Sequence, residues 1–236
     1  MPIPKIKHYF ISIRNILAWL AFCSFVLSII LVIIYKYLPV HSTPLMAIRY
    51  IQSSLNPESP PQYKTQHQWL DLVLISKHLQ LAVISSEDQQ FFSHYGFDFA
   101  AIKAAISHNN QGKKLRGGST ISQQTAKNVF LWPQRSWLRK GLEAWFTLLI
   151  ELIWDKPRIL EVYLNSIEMG EGVFGANAAA KYWFNKEAKH LTAQQAAAIA
   201  AILPNPRKYR ATSASAYVKK RQRWILRQMR NNVLAL

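Results

Sequence analysis

Arg116-Gly117-Gly118-Ser119-Thr120-Ile121-Ser122-Gln123-Gln124-Thr125-Ala126-Lys127-Asn128 is the stretch around which the rest of the chain is organised. The paired glycines permit a tight turn and a close approach of a ligand to the main chain. Thr120 followed three places later by Gln123 reads as a capping box, so a helix is predicted to begin here. The first turn of such a helix presents unpaired N–H groups and the positive end of a dipole, a combination that favours a phosphate-like anion. Lys127 lies four residues after Gln123 on the same face and adds its charge to that of Arg116. Read alone, the same residues also fit a capped surface helix with Gln, Ser and Lys in water.

Upstream, Glu87-Asp88 closes an apolar helical stretch and precedes Phe91, Phe92, His94 and Gly96. A carboxylate set against apolar and aromatic groups suits acid–base work; two solvated charges at a helix end are the alternative. His94 fits a hydrogen-bonded structural histidine. Downstream, Arg139, Lys140 and Glu143 share one helical face. They form either a surface ion-pair set worth about 0.3–0.5 kcal/mol or, facing a cleft, a second carboxylate held by two cations. Two carboxylates, several cations and an anion-binding helix start would together serve sugar transfer from a diphosphate donor.

Composition narrows the field. Among 236 residues, 29 Lys and Arg stand against 12 Asp and Glu, a formal net charge of +17. Such a surface calls for an anionic partner: nucleic acid, anionic lipid or a phosphate-bearing substrate. The length allows one sizeable domain with appendages. The single cysteine, Cys23, lies in an apolar run and carries no information on redox compartment. No Cys/His ligand spacing supports a zinc site. The Gly-x-Ser-x-Gly elbow, the Ser-x-x-Lys of penicillin-binding transpeptidases and the Walker A loop are all missing.

Residues 15–35, NILAWLAFCSFVLSIILVIIY, carry no charge and no polar stripe. Their length matches the roughly 20 residues a helix needs to cross a bilayer. They exceed the apolar core of a signal peptide, and no small-x-small cleavage site follows, so an uncleaved single-span anchor is expected. Lys5, Lys7 and Arg14 against Lys36 and Arg49 favour an inside N-terminus by a small margin. Residues 36–66 are rich in Pro, Ser and Gln and read as a linker with extended segments. From Trp69 onward the pattern is helical. Asp98, Ser136 and Thr120 are predicted caps, Pro157 a first-turn residue, and Gly170, Gly172 and Gly175 mark a loop. Residues 215–231 make a basic helix. No run alternates at period two, so the fold class is mainly α.

In order and spacing, these motifs resemble the biosynthetic peptidoglycan glycosyltransferases, lysozyme-like membrane-anchored enzymes, and most of all their monofunctional branch. The stretches that carry the resemblance are Glu87 to Gly96, Gly118 to Asn128, Arg139 to Glu143, Lys156 to Asn165, Gly170 to Phe184 and Leu203 to Pro206. Together they cover roughly residues 67–236 plus the anchor. Departures are few: Gln195 stands where members often carry Glu, and Asn185 replaces a common Gly.

The resemblance implies a single transmembrane helix and a two-lobed helical catalytic domain. Its implied divisions are a cytoplasmic tail at 1–14, the anchor at 15–35, a linker at 36–66 and the glycosyltransferase domain at 67–236. The implied reaction polymerises lipid II into β-1,4-linked glycan, releasing undecaprenyl diphosphate with inversion. Glu87 would be the general base and Glu143 the second essential carboxylate. Lys127, Arg139 and Arg116 would neutralise the diphosphate, with Lys140 beside them. Ser119, Thr120, Gln123, Gln124 and Asn128 would line the donor site.

No cofactor is required by the sequence, and the resemblance allows a divalent cation, Mg or Mn, near the diphosphate. Implied partners are lipid II, the growing lipid-linked chain, membrane lipids and other cell-wall synthesis or division proteins, with no nucleic acid. The implied location is the bacterial inner membrane, with the catalytic domain in the periplasm. Two other readings stay open: a lytic glycan hydrolase on a similar scaffold, and a non-catalytic basic scaffold or nucleic-acid binder built on Lys219, Lys220, Arg221, Arg223, Arg227 and Arg230.

Overall fold

The computed structural model describes residues 4–55, 66–110 and 117–231, which contain ten α-helices and three short strands. They form two units, Met1–Leu38 and Pro39–Leu236. The first is α1 (Pro4–Tyr37). Within it, Arg14–Tyr37 is long and apolar enough to cross a membrane, and only 11% of its most apolar window is buried. A core helix of a soluble domain would be mostly covered.

The second unit opens with α2 (Pro44–Ser54), where the sequence predicted an extended linker. Its start is locally encoded: Thr43 accepts from the Met46 amide at 3.2 Å, and Pro44 brings a fixed φ to the first turn. The weak apolar periodicity of this segment hid these signals. Met46 is buried, so α2 belongs to the folded body. Pro57, Pro60 and Pro61 of the same expected linker lie outside the described residues.

The remaining helices are α3 (Lys77–Glu87), α4 (Phe99–Asn110), α5 (Ile121–Phe130), α6 (Trp137–Ile153), α7 (Lys156–Ser166), α8 (Gly175–Phe184), α9 (Ala193–Ile202) and α10 (Ala216–Asn231). All three predicted caps are present. The Ala101 amide donates to Asp98 Oδ1 at 2.8 Å, and the Arg139 amide to Ser136 Oγ at 3.1 Å. Asp155 caps α7, with Pro157 in its first turn. The two departures from the family pattern fall on helix ends. Gln195 closes a capping box with Thr192, a task Gln performs as well as Glu. Asn185 ends α8 at φ +51°, a left-handed position that Asn tolerates better than other non-glycine residues.

The helices pack in two groups. α3, α9 and α10 contact one another, and α5 packs against α6 and α7. Residues 196–201 of α9 are all buried, and all but Ile199 are alanine, so small side chains let α9 lie close to its neighbours. From α10, Val218, Ile225 and Met229 face inward.

A small sheet joins distant segments, in the order β1 (Gln66–His67), β3 (Val173–Phe174), β2 (Glu168–Gly170). β1 pairs parallel with β3, Gln66 opposite Val173; β2 pairs antiparallel with β3 through an irregularity. The sequence marked 170–175 as a loop, because strands of two or three residues are too short to show alternation. Gly175 holds φ +79°, and a Cβ there would lie 2.7 Å from the Asn165 carbonyl oxygen, so only glycine fits at this junction. Asn165 clamps the incoming chain: its Oδ1 accepts from the Leu70 amide at 2.9 Å and its Nδ2 donates to the Leu70 carbonyl at 2.8 Å.

Candidate active site

The capping box at Thr120 forms as predicted. The Gln123 amide donates to Thr120 Oγ1 at 3.2 Å, and the Thr120 amide to Gln123 Oε1 at 3.0 Å. The expected anion site at this helix start is filled from within the chain. Asp88 Oδ2 accepts from the Ile121 amide at 2.9 Å, and Ile121 and Ser122 are fully buried. A carboxylate at a helix N-terminus satisfies an orphan donor and complements the dipole. Asp88 also accepts from His94 Nε2 at 2.9 Å, and His94 Nδ1 accepts from the Gly96 amide at 3.1 Å. Thr120 Oγ1 donates to the Gly96 carbonyl at 2.6 Å.

Asp88 and His94 therefore join the end of α3 to the start of α5. Asp88→Ala would leave the Ile121 amide and the His94 ring nitrogen unsatisfied in a buried site. We expect a loss of about 3 kcal/mol, read as a lower denaturant midpoint with unchanged slope. A loss below ~1 kcal/mol would mean that this link is not structural.

Glu87 ends α3 beside that link. Its Oε1 accepts from Ser86 Oγ at 2.8 Å and from Arg221 Nη2 at 3.2 Å. Its Oε2 accepts from Gln124 Nε2 at 3.2 Å. Gln124 is held in turn: Tyr163 Oη donates to Gln124 Oε1 at 3.1 Å. Burial first, then the negative field of Glu87 and Asp88, raises the Tyr163 pKa well above its ordinary value. The phenol stays protonated and keeps donating, which fixes the Gln124 amide with Nε2 towards Glu87.

One turn along α5, Lys127 enters a cationic cluster. Arg139 Nη1 lies 2.7 Å from Glu143 Oε2, and Lys140 Nζ lies 2.5 Å from Glu143 Oε1. Arg139 and Glu143 are buried, so these two face the interior rather than forming an exposed surface set. Arg139 Nε is buried without a partner among the described residues. Desolvation lowers the Lys127 pKa; Glu143 opposes that, while Arg139, Lys140 and Arg135 reinforce it. Four cations thus surround one carboxylate, and the cluster is short of negative charge.

The remaining expected site residues divide by exposure. Ser119 is exposed at the mouth of the turn, and Gln124 and Lys127 are half-buried. Thr120, Gln123 and Asn128 are buried, the first two committed to the cap. Arg116 lies outside the described residues.

A divalent ion held by the protein does not fit this donor set. Both Glu143 oxygens are taken by Arg139 and Lys140, and among the described residues no three His, Cys, Asp or Glu side chains converge.

Three contributors escaped the sequence reading: Tyr163, Arg135 and Arg221. Tyr163 was one more apolar position of α7. Arg221 sat within a basic helix read as a solvated face or a nucleic-acid surface. A usable signal existed, because Arg221 falls on the stripe of Val218, Ile225 and Met229 that docks α10. What it would meet there could not be read.

Comparison with known proteins identifies the family. Residues 55–230 match the family model described as Transglycosylase. Three similar proteins are each named biosynthetic peptidoglycan transglycosylase. That of Bacteroides thetaiotaomicron is 52% identical over 229 residues, covering 97% of this chain and 88% of its own. That of Pseudomonas putida is 55% identical over 202 residues, covering 86% and 84%. That of Shewanella oneidensis is 49% identical over 222 residues, covering 93% of each chain. With a family model matched over most of its length and relatives near half identity over most of the chain, this chain belongs to the transglycosylase family.

Proposed function

We propose that the carboxylate and the cations bracketing α5 carry out one reaction, the joining of disaccharide units borne on lipid diphosphates. The chain is a glycosyltransferase of peptidoglycan synthesis, as its family and relatives have it, and lipid II or a glycan chain is the substrate class. One observation supports the assignment of parts. Gln124, which touches Glu87, and Lys127, which sits among Arg135, Arg139, Lys140 and Glu143, are three residues apart on a single helix. That spacing is about 4.5 Å of axial rise, so base and cations flank one short stretch of α5.

Glu87 takes the proton of the acceptor 4-hydroxyl as its oxygen bonds to the anomeric carbon of the donor. The bond from that carbon to the diphosphate breaks, and the leaving group departs with the electron pair. Attack opposite the leaving group inverts the anomeric centre. Lys127, Arg139, Lys140 and Arg116 meet the charge that develops on the diphosphate, and a preorganised cationic site does this with no reorganisation during the reaction. Glu143 holds Arg139 and Lys140 in place. Ser119, Gln124 and Asn128 line the donor side, while Thr120 and Gln123 act through the cap that orients α5.

In this reading residues 1–14 are a cytoplasmic tail, 15–35 anchor the enzyme in the inner membrane, and the catalytic domain, 67–236, works in the periplasm. An apolar helix of 24 residues supports the anchor. Other cell-wall synthesis or division proteins are partners this location would bring within reach.

The test is polymerisation of labelled lipid II by the full chain in liposomes. Long β-1,4-linked glycan is expected. Shortening of preformed glycan with no polymer would replace this reading with a lytic one.

A further inference from the structure

We propose that Arg221 of the C-terminal helix is a positioning residue for Glu87, dividing the work between the two carboxylate oxygens. This rests on Glu87 being the base. Arg221 Nη2 donates to Glu87 Oε1 at 3.2 Å and to Ser86 Oγ at 3.0 Å, while Ser86 Oγ donates to the same Oε1 at 2.8 Å. Oε1 thus accepts two hydrogen bonds, one from a full positive charge, and its lone pairs are spoken for. Among the described residues, Oε2 accepts only from Gln124, at 3.2 Å. One lone pair remains on Oε2, and that atom receives the acceptor's proton.

The arrangement has to come from α10. Glu87 is the last residue of α3, where side-chain torsions are least restrained by the helix itself. α10 docks across α3 and α9 through Val218, Ile225 and Met229. Gln89 Nε2, just beyond α3, donates to Gln228 Oε1 at 3.4 Å and adds a second tie between the two elements. Arg221 is therefore delivered to Glu87 by a rigid apolar contact. Its Nε is buried without a partner among the described residues, so Nη2 carries the attachment. No substrate contact is assigned to Arg221. It acts on the reaction only through the carboxylate.

The experiment compares Arg221→Gln, Arg221→Lys, Arg227→Gln and Glu87→Gln in the full anchored chain, measuring kcat and KM for lipid II and thermal melting for each. Arg227 is exposed on the same helix and controls for the loss of one positive charge near anionic lipid. Arg221→Gln is expected to lower kcat roughly 100-fold, within the range by which a positioned base accelerates reactions, with KM changed less than about twofold. Arg221→Lys should recover most of the rate, and Arg227→Gln should match wild type.

A rise in KM at unchanged kcat would overturn the proposal by making Arg221 a substrate contact. Equal losses in the Lys and Gln variants, in step with lower melting temperatures, would overturn it in favour of a purely structural role. The two assignments fail separately. Full activity in Glu87→Gln removes the base and this inference together, whereas an inactive Glu87→Gln beside a fully active Arg221→Gln removes this inference alone.

Discussion

Replacing Glu87 by Gln is expected to stop glycan polymerisation while leaving the fold in place. The substitution preserves shape and keeps an acceptor oxygen for Ser86 and Arg221, so α3 and α10 retain their contact, while the new amide nitrogen gives up the single hydrogen bond from Gln124 of α5. What disappears is the ability to take a proton from the acceptor hydroxyl. General-base catalysis contributes about 10²–10⁴ in rate, and we expect a loss near the upper end, about 10³-fold or more. The initial rate on labelled lipid II measures it, with circular dichroism confirming helicity. Activity within tenfold of wild type would show that the proton goes elsewhere. Because Arg221 loses its anionic partner, a small drop in melting temperature should accompany the kinetic loss. That drop will be modest, since the pair is partly exposed and screened by solvent.

Lys127→Met should separate activity from stability. The ammonium is held in a partly desolvated site among three other cations, and among the described residues its one counter-charge, Glu143, is already paired to Arg139 and Lys140. Met fills similar volume without the charge. With diphosphate departure less well stabilised, the rate should fall roughly 10²–10³-fold, the usual effect of deleting one group aimed at developing negative charge. Stability should be unchanged or higher, because the folded state no longer confines an ammonium among like charges.

The pH dependence has a definite sign. The folded pKa of Lys127 lies below its ordinary value of 10.5. Between those two values the unfolded chain binds more protons than the folded one, so this group makes wild-type stability rise with pH across that window. Lys127→Met should lack that increment in denaturant titrations made at successive pH values. An unchanged rate, or a large loss of stability, would show that Lys127 is structural rather than part of the diphosphate cradle.

Legibility from sequence followed the range of the interaction. Thr120 with Gln123, Asp98 and Ser136 were all readable as caps, since each partner lies three residues away. The apolar run of α1 was readable by length alone. α2 was not legible although Thr43-Pro44 is a sound helix start, because its weak apolar periodicity and the surrounding prolines resemble a linker. The sheet was missed because its strands are shorter than one unit of the pattern that reveals strands. The ambiguity of Arg139, Lys140 and Glu143, surface set or cleft, was a question of burial, and burial is not a local property.

The sequence by itself determined the mainly helical class, the membrane-spanning candidate, the ordered motifs and hence the family, because each rests on composition, length or spacing along the chain. Tertiary structure alone decided which anion fills the start of α5. The answer is Asp88, 33 residues before the amide it accepts from. It also decided that Gln124 reaches Glu87 across 37 residues, and that Arg221 reaches it across 134. The physical reason is common to all three. A hydrogen bond or ion pair has a reach of about 3 Å, and which side chains come that close is set by helix packing, which sequence spacing does not record.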